Sequence, residues 1–89
     1  VYIIRRFIMY EIEFSKQATK FIRNLEKNLK ERIKEKFREV KRDPFRYLEH
    51  YEGDYDYKLR IGDYRCLIDV DFVKRILFVR VFDKRGRIY

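Results

Sequence analysis

The chain has 89 residues, enough for one compact core and not for two. Its 23 Lys+Arg against 15 Asp+Glu give a formal net charge of +8, yet 46% of the residues are hydrophobic, so a core can form and wholesale disorder is excluded. No run reaches the roughly eighteen apolar residues of a membrane-spanning helix. The lone Cys66 excludes an internal disulfide and a cysteine-based zinc site, which points to an intracellular, cytoplasmic protein. A single Gln and two Asn among many Lys, Glu and Arg lean towards a thermophilic source.

In chain order, residues 1–8 (VYIIRRFI) begin with Val rather than Met and are too short and too basic for a signal peptide. They read as an N-terminal extension of one domain covering residues 1–89. Tyr10, Ile12 and Phe14 alternate with Glu11 and Glu13, the period of a strand. Ser15 is a good N-cap for a helix over Lys16–Leu25, where Ala18, Phe21, Ile22 and Leu25 recur at helical spacing. Asn24 and Asn28 mark a break. A second helix then runs to about Arg42 with Leu29, Ile33, Phe37 and Val40 as its apolar stripe, and Asp43-Pro44 ends it.

Three further strands follow, over Asp56–Ile61, Tyr64–Val70 and Arg75–Phe82, with Gly62-Asp63 as a two-residue hairpin signal. The order of strand, helical hairpin and three-stranded antiparallel meander defines an α+β class.

The charge is unevenly distributed. Residues 15–42 carry +7, residues 43–57 carry −4 and residues 58–89 carry +5. Most of the hairpin's share reads as a solvated face, with phosphate contact or a partner groove as its other uses. The sheet's share is more informative. Strand alternation sends Tyr57, Leu59 and Ile61 one way and Lys58 and Arg60 the other. In the next strand Arg65, Leu67 and Asp69 oppose Tyr64, Cys66, Ile68 and Val70. In the last, Leu77, Val79 and Val81 oppose Phe78, Arg80 and Phe82.

Lys58, Arg60, Arg65 and Arg80 are thus expected on one face, with Lys84, Arg85 and Arg87 directly after the last strand. Like charges gathered this way repel, and a phosphodiester backbone would compensate them. Phe78 and Phe82 on that face, and Tyr89 beyond it, would stack on bases. The alternative is a merely solvated face in which Asp56, Asp69 and Asp71 pair with the cations across strands.

Other residues attract attention but carry less. His50 is the sole histidine, in an acidic loop, and a loop-surface position suits it better than general acid–base work. Cys66 alternates with apolar neighbours, as a buried thiol would. Tyr47, Tyr51, Tyr55 and Tyr57 are expected to cover the end of the core. The three glycines are too scattered for a phosphate-cradling loop, so no nucleotide cofactor is expected, and no cluster of metal ligands is apparent.

From Met9 to Tyr89 the sequence resembles the RelE/ParE toxin family of bacterial and archaeal toxin–antitoxin systems, and most of all its RelE side. The resemblance rests on "FSKQATKFIRNL", on "RDP", on the ordered set Lys58-Leu59-Arg60, Gly62 and Tyr64-Arg65, and on Lys84-Arg85 with Ile88-Tyr89. It implies a microbial-ribonuclease-like sheet with a helical hairpin, and a ribosome-dependent endoribonuclease that cleaves messenger RNA in the ribosomal A site. The ribose 2′-OH would attack the adjacent phosphate, without metal or protein nucleophile.

By the same resemblance Lys58 is the candidate general base, its pKa expected to fall beside Arg60 and Arg65. Arg65 would stabilise the phosphate, Arg85 would assist the leaving oxygen and Tyr89 would orient the substrate. Arg60, Arg80, Lys84 and Arg87 are candidate phosphate contacts. Asp56 stands where RelE proteins usually carry a second lysine, a reversed charge. ParE-type relatives share the fold, lack this constellation and poison DNA gyrase, so a non-nuclease toxin or an inactive antitoxin-binding homologue is the alternative. The implied partners are a RelB-like antitoxin, in a toxin–antitoxin heterotetramer, and the ribosome with its message; no membrane is implied.

Overall fold

The computed structural model describes residues 9–51, 53 and 56–84. In chain order the elements are β1 (Glu11–Phe14), α1 (Lys16–Arg23), α2 (Lys27–Arg42), α3 (Pro44–Tyr47), β2 (Glu49–His50), β3 (Tyr57–Ile61), β4 (Tyr64–Asp71) and β5 (Ile76–Lys84). The strands form one five-stranded sheet in the order β1-β5-β4-β3-β2. β1 runs parallel to β5, and the other neighbours are antiparallel. This is the expected α+β arrangement of strand, helical hairpin and meander, enlarged by α3 and β2. Those two elements span four and two residues, too few for a hydrophobic period to reveal them.

Local chemistry accounts for the element ends. The Ser15 hydroxyl accepts the Ala18 N–H at 3.1 Å, satisfying one of the free donors at the start of α1. α2 stops at Arg42 because Asp43 leaves the helical region, with φ −150°, ahead of Pro44. Pro44 then opens α3, where its fixed φ and missing N–H cost nothing. Gly62, at φ +57°, supplies the left-handed residue of the β3–β4 hairpin. In the β4–β5 turn the Asp71 carboxylate accepts from the Val73 and Lys74 N–H groups at 3.0 and 2.9 Å.

Both helices of the hairpin lie on one side of the sheet. Ala18 of α1 and Ile33, Phe37 and Val40 of α2 close over Leu59, Cys66, Ile68, Leu77, Val79 and Phe82. Phe21, Ile22, Leu25 and Leu29 pack at the margin of this core, and so do Tyr47 and Tyr57. Tyr51 is half-buried, and Tyr55 lies outside the described residues.

The last strand departs from simple alternation. Opposite β4, Leu67 pairs with Val81 but the next residue, Ile68, pairs with Val79, so Arg80 is an extra residue in a β-bulge. Beyond it the faces are exchanged. Phe82, expected to be available for base stacking, is instead fully buried at 0% exposure, in ring contact with Phe21, Phe37 and Tyr64. Val81, expected in the core, stands opposite Leu67 on the other face. Burial of a large aromatic ring stabilises by about 2–3 kcal/mol, which a stacking role would forfeit.

The bulge also leaves β5 longer than its neighbour. β1 covers β5 only as far as Val79. The chain then turns into α1, and side chains take over the edge. The Ser15 hydroxyl donates to the Arg80 carbonyl at 2.6 Å. The Gln17 amide donates to the Phe82 carbonyl at 2.7 Å and accepts the Phe82 N–H at 2.8 Å. Gln17 thereby stands in for one strand residue and fastens α1 to the sheet.

Among the described residues no helix is long and apolar enough to cross a membrane.

Candidate functional site

The face of the sheet turned away from the helices carries the candidate cations. Lys58 and Arg60 project from β3 and Arg65 from β4, as alternation requires. Arg60 and Arg65 are directly opposite each other across the two strands. Such a like-charged pair is destabilising unless a counter-charge is nearby. On the other side Arg65 faces Asp83 of β5. Arg65 is only 7% exposed, and Leu67, two residues on along the same face, is buried as well. The Arg65 side chain is therefore almost wholly covered, while Arg60 beside it is exposed.

Lys58 is half-buried, with Leu67 opposite it on β4 and Glu49 opposite it on β2. Its ammonium is 3.9 Å from the Glu49 carboxylate. Glu49 escaped sequence reasoning because it lies in a two-residue strand with no period of its own.

The remaining candidates divide. Arg80, at the bulge, is held by Asp69 at 3.0 Å and lies over the Phe78 ring with its guanidinium carbon 4.8 Å from the centroid. Lys84 is not beyond the last strand but is its final residue. It pairs with Tyr64, whose ring contacts Phe21 and Phe82, so the register puts Lys84 on the helix side and away from Arg65. Arg85, Arg87 and Tyr89 lie outside the described residues.

The acidic residues do more than neutralise cations across strands. Asp69 does so, with Arg80. Asp56 instead accepts the Val70 N–H at 3.2 Å, while its own N–H donates to Asp69 at 3.3 Å, which ties the start of β3 to the end of β4. Asp71 is spent on the turn.

The register also sets most of the acids of this face apart from the Arg60–Arg65 pair, with Arg80, Lys74 and Arg75 among the acids and Asp83 and Glu49 beside the cations. Glu11 and Glu13 of β1, Asp56, Asp69 and Asp71 gather where β4 ends and β5 begins. Arg60 and Arg65 lie at the opposite end, with Lys58 between.

Cys66 is fully buried on the helix side, and burial pushes its thiol pKa well above the ordinary range. A thiol so suppressed is no nucleophile at neutral pH. His50 is exposed, with its ring edge against Tyr57 at 5.7 Å. Among the described residues no group of three or more His, Cys, Asp or Glu side chains is arranged to hold a metal ion.

Comparison with known proteins gives the family. Residues 12–88 match the model of the ParE toxin of the type II toxin–antitoxin system parDE. No curated protein sequence matches the chain. Among solved structures, a chain of the RelBE toxin–antitoxin complex of E. coli aligns over 88% of this chain and 99% of its own length, with 29% identity and a TM-score of 0.71. A chain of the archaeal RelE–RelB complex from Pyrococcus horikoshii aligns over 90% and 99%, with 25% identity and a TM-score of 0.72. The RelBE2 complex from Mycobacterium tuberculosis contains a chain with the same fold, with a TM-score of 0.76 over 88% of this chain and all of that one, at 21% identity. The protein is thus a member of the RelE/ParE family of type II toxin–antitoxin toxins.

Proposed function

We propose that this toxin is a ribosome-dependent endoribonuclease that cuts messenger RNA in the ribosomal A site and so arrests translation in the cytoplasm. The observation that carries the reading is the grouping of Lys58, Arg60 and Arg65 on adjacent strands of the face away from the helices. Phosphoryl transfer needs positive charge around the non-bridging oxygens, and a preorganised arginine supplies it without rearrangement.

In the reaction the ribose 2′-oxygen attacks the adjacent phosphorus and the P–O5′ bond breaks. The products are a 2′,3′-cyclic phosphate and a 5′-hydroxyl. Lys58 takes the 2′-proton. Arg65 neutralises the charge that builds on the phosphoryl oxygens. Arg85 stabilises the departing 5′-oxygen, which takes a proton from water to become the 5′-hydroxyl, and Tyr89 orients the substrate, both by family resemblance. Arg60, Arg80, Lys84 and Arg87 are proposed to hold flanking phosphates. Arg80 must first exchange Asp69 for phosphate, and Lys84 can serve only a strand that passes around the sheet edge. A RelB-like antitoxin, in a heterotetramer, is the proposed partner that restrains the activity.

The test is cleavage mapping on programmed ribosomes. Loss of the general base lowers the rate by about 10²–10⁴ and loss of the oxyanion-stabilising group by about 10²–10³. Lys58→Ala and Arg65→Ala that both cleave within twofold of wild type would defeat the reading.

One observation favours a second reading, a toxin that does not cut RNA. The Asp56 carboxylate is committed to the Val70 N–H where RelE proteins usually place a second lysine, and the Glu49 carboxylate stands beside Lys58. On that reading the purified protein leaves message intact on programmed ribosomes and inhibits gyrase supercoiling.

A further inference from the structure

A second group of cations lies on the helix layer, across the molecule from Lys58 and Arg65. Lys16, Lys20 and Arg23 follow one another at i, i+4 and i+7 along α1, which contains no acidic residue. With Phe14, Thr19 and Asn24 they line a surface groove of about 410 Å³. Phe14 is 39% exposed there, while one side of its ring leans on Phe37 with centroids 5.3 Å apart.

Two contrasts set this row apart from ordinary solvated lysines. α2 interleaves three glutamates with its cations and pairs Lys34, Lys36 and Arg38 with Glu31, Glu39 and Glu35 at 3.9, 3.7 and 2.9 Å, while among the described residues its other cations, Lys27, Lys30, Arg32, Lys41 and Arg42, make no ion pair. On α1, among the described residues, no carboxylate comes within ion-pair distance of Lys16, Lys20 or Arg23. Helix stability does not explain the row either. Lys20 and Arg23 suit the negative end of the helix dipole, but Lys16 stands at the positive end with no acid in the first turn.

We propose that this groove binds the phosphodiester backbone of a single-stranded or looped RNA segment, separate from the strand at the sheet face. The row spans about 10 Å at 1.5 Å per residue, and neighbouring cations on it stand about 5–6 Å apart at the helix surface, comparable to the step between successive backbone phosphates. Lys16, Lys20 and Arg23 take successive phosphates, Thr19 and Asn24 add neutral hydrogen bonds, and Phe14 offers a ring to one base. With cations on both layers, the protein fits between two RNA segments.

The experiment measures binding of the full chain to a fluorescent twelve-nucleotide 2′-O-methyl RNA by anisotropy, from 50 to 200 mM KCl. This probe has no free 2′-hydroxyl, so the outcome does not depend on whether the protein is a nuclease. Removing three phosphate contacts, at about 0.7 ion per contact, lowers the slope of log affinity against log salt by about 2. Wild-type affinity should therefore fall about twentyfold more across this range than that of Lys16→Gln/Lys20→Gln/Arg23→Gln. Glutamine keeps the helix propensity of the replaced residues, and the α2 variant Lys34→Gln/Arg38→Gln is expected to retain the wild-type slope. Phe14→Leu should weaken binding several-fold at unchanged slope.

An unchanged slope in the triple variant would overturn the proposal, and so would an equal loss in the α2 variant. Tighter binding of a twelve-residue glutamate peptide than of RNA, lost in the triple variant, would assign the groove to an acidic protein segment instead.

Discussion

Gln17→Ala tests how the helical hairpin is fastened to the sheet. The Gln17 amide makes two hydrogen bonds to Phe82, at 2.7 and 2.8 Å, where β1 no longer covers β5. Truncation leaves the Phe82 N–H and C=O without their partners. A buried polar group stripped of its partner costs about 1–3 kcal/mol. These bonds are only partly buried, so water can reach the strand edge, and the low end applies. The sum is about 2 kcal/mol, a substantial fraction of the total stability of a small domain. For a chain of this size that lowers the melting temperature by roughly 8–16 °C.

The assay is thermal unfolding by circular dichroism, with hydrogen exchange at the Phe82 amide. Gln17→Glu sharpens it. The carboxylate still accepts the N–H but sets an oxygen against the Phe82 carbonyl, so at neutral pH it should be at least as destabilising as alanine. A drop of under 2 °C for Gln17→Ala, with unchanged protection of the Phe82 amide, would refute the idea that this side chain replaces a strand.

Three further outcomes follow from the same geometry. Phe82→Ala should cost about 3–5 kcal/mol in urea unfolding, and Phe78→Ala, on the open side of the bulge, well under half of that. Gly62→Ala meets no atom within 4 Å, so its cost comes from the positive φ alone, about 1 kcal/mol, and should show no accompanying packing change in side-chain NMR. Cys66 has its pKa raised by burial, so the unfolded chain ionises this thiol first as pH rises and the native state loses stability. Relative to Cys66→Ala, wild type should lose about 1.4 kcal/mol per pH unit above about pH 8.5, read from urea midpoints at pH 7–10.

Much of the fold could be read from the sequence because its elements are long or regular. The stripe Leu29, Ile33, Phe37 and Val40 and the alternation of Tyr57–Ile61 each carry their period over enough residues to settle face and type. Three features could not be read. β2 and α3 are too short for periodicity. The bulge at Arg80 inserts one residue without any glycine or proline to mark it, and exchanges the faces of Val81 and Phe82. The Gln17 bridge joins positions 65 residues apart, and nothing local to either announces it.

For the site, face membership of Lys58, Arg60 and Arg65 followed from alternation alone. The acids beside them, Glu49 and Asp83, depend on strand order and register, which long-range packing decides.

The uneven charge on the open sheet face affects orientation as well as affinity. A polyanion that approaches the face is drawn to the Arg60–Arg65 end and pushed away from the end where Glu11, Glu13 and Asp71 gather, a bias that Lys74 and Arg75 at the acidic end and Asp83 at the basic end reduce. Attraction and repulsion at opposite ends exert a torque, so the molecule swings like a compass needle before any contact forms. Alignment of this kind acts during the approach and weakens as salt shortens the reach of the field, about 10 Å at 0.1 M. Reversing the acidic end alone, far from any reacting atom, would then leave the attraction in place and remove the sense of direction.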